Sequence, residues 1–193
     1  TLERYLSSEP GGDVTGMMGE GLLKAMVKNG PLALAEPENY EARAQIMWAG
    51  ALSHADLLGV GRVPDWASHR IEHELTRCTD IAHGAGLSII MPALFRYVLS
   101  DSMDAFRLAS LAAEVWGVDA AGRPDDEVAL EGIERMEAFF REMGLPVRFQ
   151  DADIDPVIIP DMAANVQRSP DGVVGARRKL STGDIEAILK LAL

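Results

Sequence analysis

The sequence predicts an all-α protein, a multi-helix bundle of about eight helices, and three observations carry that expectation. Apolar residues recur at helical spacing through most of the chain. Glycine and proline punctuate the pattern at intervals that suit helices. The one short apolar run that could be extended, Val157-Ile-Ile159, is too brief and isolated to build a sheet. At 193 residues the chain suits one large domain, 1–193, able to bury roughly 70% of its unfolded surface without a disulfide or structural metal.

Taken in order, Thr1-Leu-Glu-Arg-Tyr-Leu6 has the amphipathic pattern of the tail of an earlier helix, and Ser7 to Gly12 reads as a hinge. Asp13 caps a helix to about Asn29, whose stripe of Met17, Met18, Leu22, Leu23, Met26 and Val27 is read as core packing. Gly30-Pro31 should end it. A longer helix is expected from Glu38 to about Leu58, with Ala44, Ala49, Ala51 and Ala55 allowing close helix approach. His54, late in that helix, is read as structural. Gly59 to Pro64 then leads to Asp65, an expected N-cap for a helix from Trp66 that Thr79-Asp80 interrupts. His83-Gly84 opens the next helix, whose strongly apolar Leu87–Leu99 stretch should lie at the centre of the domain, bent at Pro92.

Ser102 to Trp116 is amphipathic and is closed by Gly117. Asp126 to Met143 follows, with Leu130, Ile133, Met136, Phe139 and Phe140 on its buried face, until Gly144-Leu-Pro146 stops it. Asp151 to Pro160 is a turn-rich connector, and Asp161 to about Arg168 a short helix. Ser169 to Leu180, with Arg177-Arg178-Lys179, reads as an exposed loop rather than a phosphate site. A last helix spans roughly Gly183 to Leu193.

Composition narrows the function. The net charge is −12 and no long basic run exists to neutralise phosphates, which argues against nucleic acid as a partner. Gly84 to Val98, the most apolar stretch, is cut short of a membrane span by Arg96, Pro92 and its glycines. Thr1 to Ser8 shows no signal-peptide pattern. The single cysteine, Cys78, fits a reducing, cytoplasmic location and is read as a small helix-face residue.

Chemistry concentrates in one stretch, where three of the four histidines, His69, His73 and His83, fall within fifteen positions. His69 and His73, four apart on a helix, share one face. Neutral imidazole ligates zinc and iron and carries protons near neutral pH. His69-Arg-Ile-Glu-His73 also fits the H-x-x-E-H pattern of inverted zinc proteases, with Glu72 as base, but that reading leaves His83 without a role.

The run Asp65-Trp-Ala-Ser-His69-Arg-Ile-Glu-His73-Glu-Leu-Thr, followed by Asp80-Ile-Ala-His83-Gly-Ala-Gly-Leu87, closely resembles the iron-containing (group III) alcohol dehydrogenases, in the butanol dehydrogenase and aldehyde reductase branch. The resemblance continues through Gly30-Pro-Leu-Ala-Leu-Ala-Glu-Pro-Glu-Asn-Tyr40, Met47-Trp48 and Pro92. It implies that 1–193 is the helical, dehydroquinate-synthase-like C-terminal domain that bears the metal site. It implies also an N-terminal α/β domain, holding the dinucleotide, that this chain lacks. His69 and His83 would then be metal ligands. His73 would face the nicotinamide and substrate as the catalytic, proton-transferring residue.

The family's other two ligands, an aspartate and a histidine, should lie just before Thr1. The implied cofactors are Fe²⁺, with Zn²⁺ as the alternative, and NADH or NADPH. The implied partners are a small aldehyde or alcohol, the N-terminal domain and a second copy in a homo-oligomer, a dimer. The fragment alone should be inactive, since two histidines make an open site. A non-catalytic helical interaction module derived from the enzyme is the rival reading.

Overall fold

A computed structural model describes residues 1–6 and 12–193, so most of the hinge expected over Ser7 to Gly12 lies outside the described residues. Among those described there are nine α-helices and no strand; one isolated antiparallel bridge joins Val174 to Leu180. The helices are α1 (Leu2–Tyr5), α2 (Asp13–Ala35), α3 (Tyr40–His54), α4 (Ala67–Thr79), α5 (His83–Val98), α6 (Ser102–Trp116), α7 (Asp125–Glu142), α8 (Ile159–Asn165) and α9 (Thr182–Lys190). Short 3₁₀ turns occupy Leu57–Gly59, Phe149–Ala152 and Pro156–Ile158. Among the described residues no helix is long and apolar enough to cross a membrane.

The expected central helix is α5. Every residue from Ser88 to Phe95 is buried, as a helix that is apolar all round requires. Pro92 lies inside it. Ser88 satisfies its hydroxyl on two carbonyls, Ala85 and Pro146, each at 2.7 Å. Around α5 the core gathers Ile71 and Leu75 from α4, Leu108 and Ala112 from α6, Ile133 and Met136 from α7, and Ile185, Ile188 and Leu189 from α9. Glu137 of α7 is buried as the shared partner of Arg96 on α5 and Arg148 in the following loop.

Several expectations are corrected. Helix α2 does not stop at Gly30-Pro31 but runs on to Ala35. Pro31 removes one backbone donor. Yet Gly30 is buried, and the space where its Cβ would stand is bounded by Met143 and Phe139 at 3.4 Å, so packing on the end of α7 holds the helix together. The methionine stripe is not core along its length: Met17 and Met18 are exposed, and Gly16, Gly19, Asn29 and Gly30 are the buried positions of α2. Helix α3 is shorter than expected. Asn39 caps it, its side chain accepting the Ala42 N–H at 3.1 Å, and it ends at His54. Only Ala42 and Ala49 of α3 are buried, while Ala51 and Ala55 are exposed. On α7, Leu130 is exposed rather than buried.

The 169–180 loop is not simply solvated. Val174 and Leu180 are buried, and their bridge closes it. Arg177 forms an ion pair with buried Asp104, the Arg178 guanidinium lies over the Tyr97 ring at 4.8 Å, and Lys179 pairs with Asp171 at 3.2 Å. All three basic side chains are therefore engaged within the protein.

Candidate metal centre

The three clustered histidines meet where α4 and α5 join. Helix α4 carries His69 and His73 one turn apart, and α5 begins with His83. Between the two helices Asp80 takes a left-handed conformation, φ 57°, which turns the chain sharply and brings His83 back over the first pair. Ring centroids are 5.3 Å apart for His69 and His83, and 5.6 Å for His73 and His83. Two imidazoles bound to one tetrahedral ion through nitrogens at about 2.1 Å would have centroids about 5 Å apart, so either spacing suits a shared ion.

The surroundings of the rings differ. His69 Nδ1 is hydrogen-bonded to Glu3 Oε2, and His83 Nδ1 to Glu72 Oε2. Both carboxylates are buried. His73 is exposed and has only the ring contact with His83. Two of the three rings thus have one nitrogen committed to a buried carboxylate and the other nitrogen left for a ligand. That donor set fits a metal ion. A metal-binding histidine nearly always gives its remote ring nitrogen to a carboxylate, carbonyl or water.

Glu3 has a second task. Its Oε1 accepts the Ser68 backbone N–H at 2.7 Å and the Ser68 hydroxyl at 2.6 Å, satisfying the free first turn of α4. Asp65 was the expected N-cap. The residue at that position is Trp66, with φ 58°; the Asp65 carboxylate accepts the Ala176 and Arg177 N–H groups at 2.9 Å each and also bonds the backbone of Ala67, the first residue of α4. Asp65 thereby pins the C-terminal loop to the start of the histidine helix. Burial pushes its carboxyl up from the ordinary value, while the Arg177 N–H pulls the other way. Trp66 packs edge-on against His69 at 5.0 Å, with the Arg4 guanidinium over its indole at 5.1 Å.

Among the described residues, Glu72, His73 and His83 have potential ligand atoms that all lie within 4.8 Å of one another. Glu72, however, is fully buried and both its oxygens are used, Oε1 by the Thr76 hydroxyl at 2.5 Å and Oε2 by His83. An ion on Glu72 would have to break the bond that orients His83. The same occupancy leaves Glu72 no open oxygen with which to activate a water, as the inverted zinc protease requires. The carboxylate fits in place because Gly86 has no side chain: a Cβ there would stand 2.8 Å from Glu72 Cγ.

His54 lies exposed at the end of α3. Cys78 is half-buried with its sulfur 3.9 Å from Asp161, and burial pushes its thiol up, away from a reactive thiolate. Glu3 is the member of this cluster that sequence reasoning misses. It lies 66 positions from His69, and no local pattern distinguishes it from any surface glutamate.

Comparison with known proteins places the whole chain in one family. NADH-dependent butanol dehydrogenase A of Clostridium acetobutylicum is 33% identical over 98% of this chain and 48% of its own length. The solved structure of the aldehyde reductase YqhD from E. coli, in its substrate- and cofactor-free form, superposes with a TM-score of 0.91 at 29% identity, covering all of this chain and 50% of that one. NADH-dependent butanol dehydrogenase A from Thermotoga maritima gives 0.90 at 32% identity, over 99% and 48%. The chain thus spans about half the length of the relatives it matches. Residues 1–193 match the description "Fe-containing alcohol dehydrogenase family, C-terminal" along their whole length, and the chain belongs to that family.

Proposed function

We propose that this chain is the helical, metal-binding half of an NAD(P)H-dependent alcohol dehydrogenase that interconverts short-chain aldehydes and primary alcohols. The observation that carries the reading is the pair of rings, His69 and His83, 5.3 Å apart and each backed by a buried carboxylate. In this reading His69 and His83 are two metal ligands. The other two, an aspartate and a histidine, come from residues N-terminal to Thr1. Support for that source is the contact of Glu3 with His69, which puts the N-terminal end of the chain beside the cluster.

When bound, the ion, Fe²⁺ or Zn²⁺, supplies a Lewis acid for the carbonyl oxygen and the dinucleotide a hydride for the carbonyl carbon. The chain's own residues do the rest. Glu3 and Glu72 keep the two ligand rings from rotating. His73 is solvent-exposed and hydrogen-bonds to no carboxylate among the described residues, so it can pass a proton between bulk water and the substrate oxygen. The dinucleotide is held mainly by an N-terminal α/β domain, and the protein works in the cytoplasm as a homodimer.

The test uses the full-length protein and elemental analysis. His69→Ala and His83→Ala should lose the metal. His73→Ala should keep it and reduce butanal about 10²–10⁴-fold more slowly. Equal metal loss in all three variants would overturn the division of roles. Absence of any aldehyde-dependent NADH or NADPH oxidation in the wild type would overturn the activity.

A further inference from the structure

We infer that Glu3 and Glu72 are matched positioning residues: each buried carboxylate takes the Nδ1 edge of one ligand imidazole and so fixes the tautomer and bearing in which His69 and His83 present Nε2. The inference rests on the assignment of those two histidines as ligands and goes beyond it, from which atoms bind to what holds them ready.

Burial is the first argument. Glu3 is 4% exposed and Glu72 is fully enclosed. A carboxylate withdrawn from water is strongly unfavourable unless its lone pairs are met by donors. Glu3 meets three, the Ser68 N–H, the Ser68 hydroxyl and His69. Glu72 meets two, Thr76 and His83. Both glutamates carry the same division of labour: one oxygen is anchored on a serine or threonine hydroxyl of α4, and the other reaches an imidazole. Anchoring the first oxygen sets the direction of the second.

The origin of the pair is the second argument. Glu3 belongs to α1 and its ring to α4, whereas Glu72 belongs to α4 and its ring to α5. The two bonds therefore join three helices across the site, and neither arises from local sequence neighbours. Gly86 supplies the third argument. An alanine in its place would press on Glu72, so the first turn of α5 is shaped around that carboxylate.

His73 is the internal control. It lies on the same helix, its ring is 5.6 Å from His83, and it has no carboxylate. A carboxylate on Nδ1 forces the proton onto that nitrogen and leaves Nε2 as the lone-pair donor, which a ligand needs.

The experiment compares the full-length protein with Glu3→Gln and Glu72→Gln. Zn²⁺ affinity is read by chelator competition, and the visible absorption of the Co²⁺-loaded protein is recorded alongside. The glutamine amide keeps the shape of each side chain and removes its charge. Each variant should bind Zn²⁺ about 10–100-fold more weakly and shift the Co²⁺ bands. Gly132→Ala, where α7 crosses α6, is the control for stability alone. It touches neither the histidines nor their carboxylates, so it should lower the unfolding temperature and leave Zn²⁺ affinity near wild type.

A His69→Ala arm separates the two readings. If that variant loses Zn²⁺ while both glutamine variants bind as wild type with unaltered Co²⁺ spectra, the ligand assignment stands and the positioning role is overturned. If His69→Ala binds like wild type, the ligand assignment has failed and the positioning role falls with it. If Gly132→Ala weakens Zn²⁺ as much as the glutamine variants do, their loss reflects stability alone and the positioning role is overturned.

Discussion

A single methyl group at position 86 tests how tightly the site is built. Glu72 is a long side chain and could ordinarily swing aside for it. Here the carboxylate is enclosed and bonded at both oxygens, so its terminal atoms have no second place to go. Gly86→Ala should therefore displace Glu72 from His83. Overpacking should cost about 1–3 kcal/mol of stability, read as a lower urea midpoint, and the displaced ring should weaken metal retention. A variant with wild-type stability and metal content would show that the carboxylate is mobile. At this scale sequence reading reached the histidines and not their supports. Three imidazoles in fifteen positions form a pattern that can be seen along the chain. The partner of His69 is 66 residues away, and the partners of Asp65 are 111 and 112 away. Asp65 has the right chemistry for a cap and was read as one. Only the fold reveals that the C-terminal loop claims one of its oxygens and that Glu3 serves the helix beside it.

At the scale of elements, legibility depended on whether local signals agreed with packing. Helix α6 begins and ends where expected, at Ser102 and Trp116, because Asp101 accepts the Met103 N–H and Gly117 turns away at φ 66°. Nothing in the tertiary structure opposes those two stop signals. In α2 the Gly30-Pro31 stop is overridden, since ending there would expose the face that meets Met143 and Phe139. Helix α3 illustrates the reverse: its large side chains Tyr40, Met47 and Trp48 are exposed while small Ala42 and Ala49 are buried, so apolar spacing alone could not identify the inward face.

The same principle of small residues at crossings governs α6 against α7. A Cβ at Gly132 would stand 3.0 Å from the Ala112 Cα, an obstacle of backbone rather than of flexible side chain. Gly132→Ala must separate the two helices. The gain in helix propensity, about 1 kcal/mol, is outweighed by lost packing, and a net fall of about 1–3 kcal/mol is expected. Thermal unfolding measures it. An unchanged or raised midpoint would mean that the crossing can widen freely.

For the molecule as a whole, stability near neutral pH carries the mark of the buried carboxylates that tie its ends together. Asp65 holds the 176–177 backbone, and Arg177 reaches on to Asp104 in the first turn of α6, so the C-terminal loop is fastened both to the start of the histidine helix and to α6. Burial pushes the Asp104 carboxyl from 3.8 up to about 6, opposed by the adjacent Arg177 and reinforced by Asp101 and Asp65. Asp65 is raised too, chiefly by burial. An acid raised in this way holds its proton longer in the folded chain than in the unfolded one. Its contribution to stability is complete below the unfolded value near 3.8 and is lost as the pH rises through about 6. The slope from such a group is at most about 1.4 kcal/mol per pH unit. Asp104→Asn mimics the protonated side chain at every pH and so removes this contribution to the slope. Urea midpoints of the metal-free protein, measured from pH 4 to pH 7, should fall more steeply for wild type than for Asp104→Asn between pH 4 and 6, and the two curves should run parallel above that. Parallel curves over the whole range would mean that Arg177 holds Asp104 ionised throughout, and that the loop is fastened by a charge pair insensitive to mild acid.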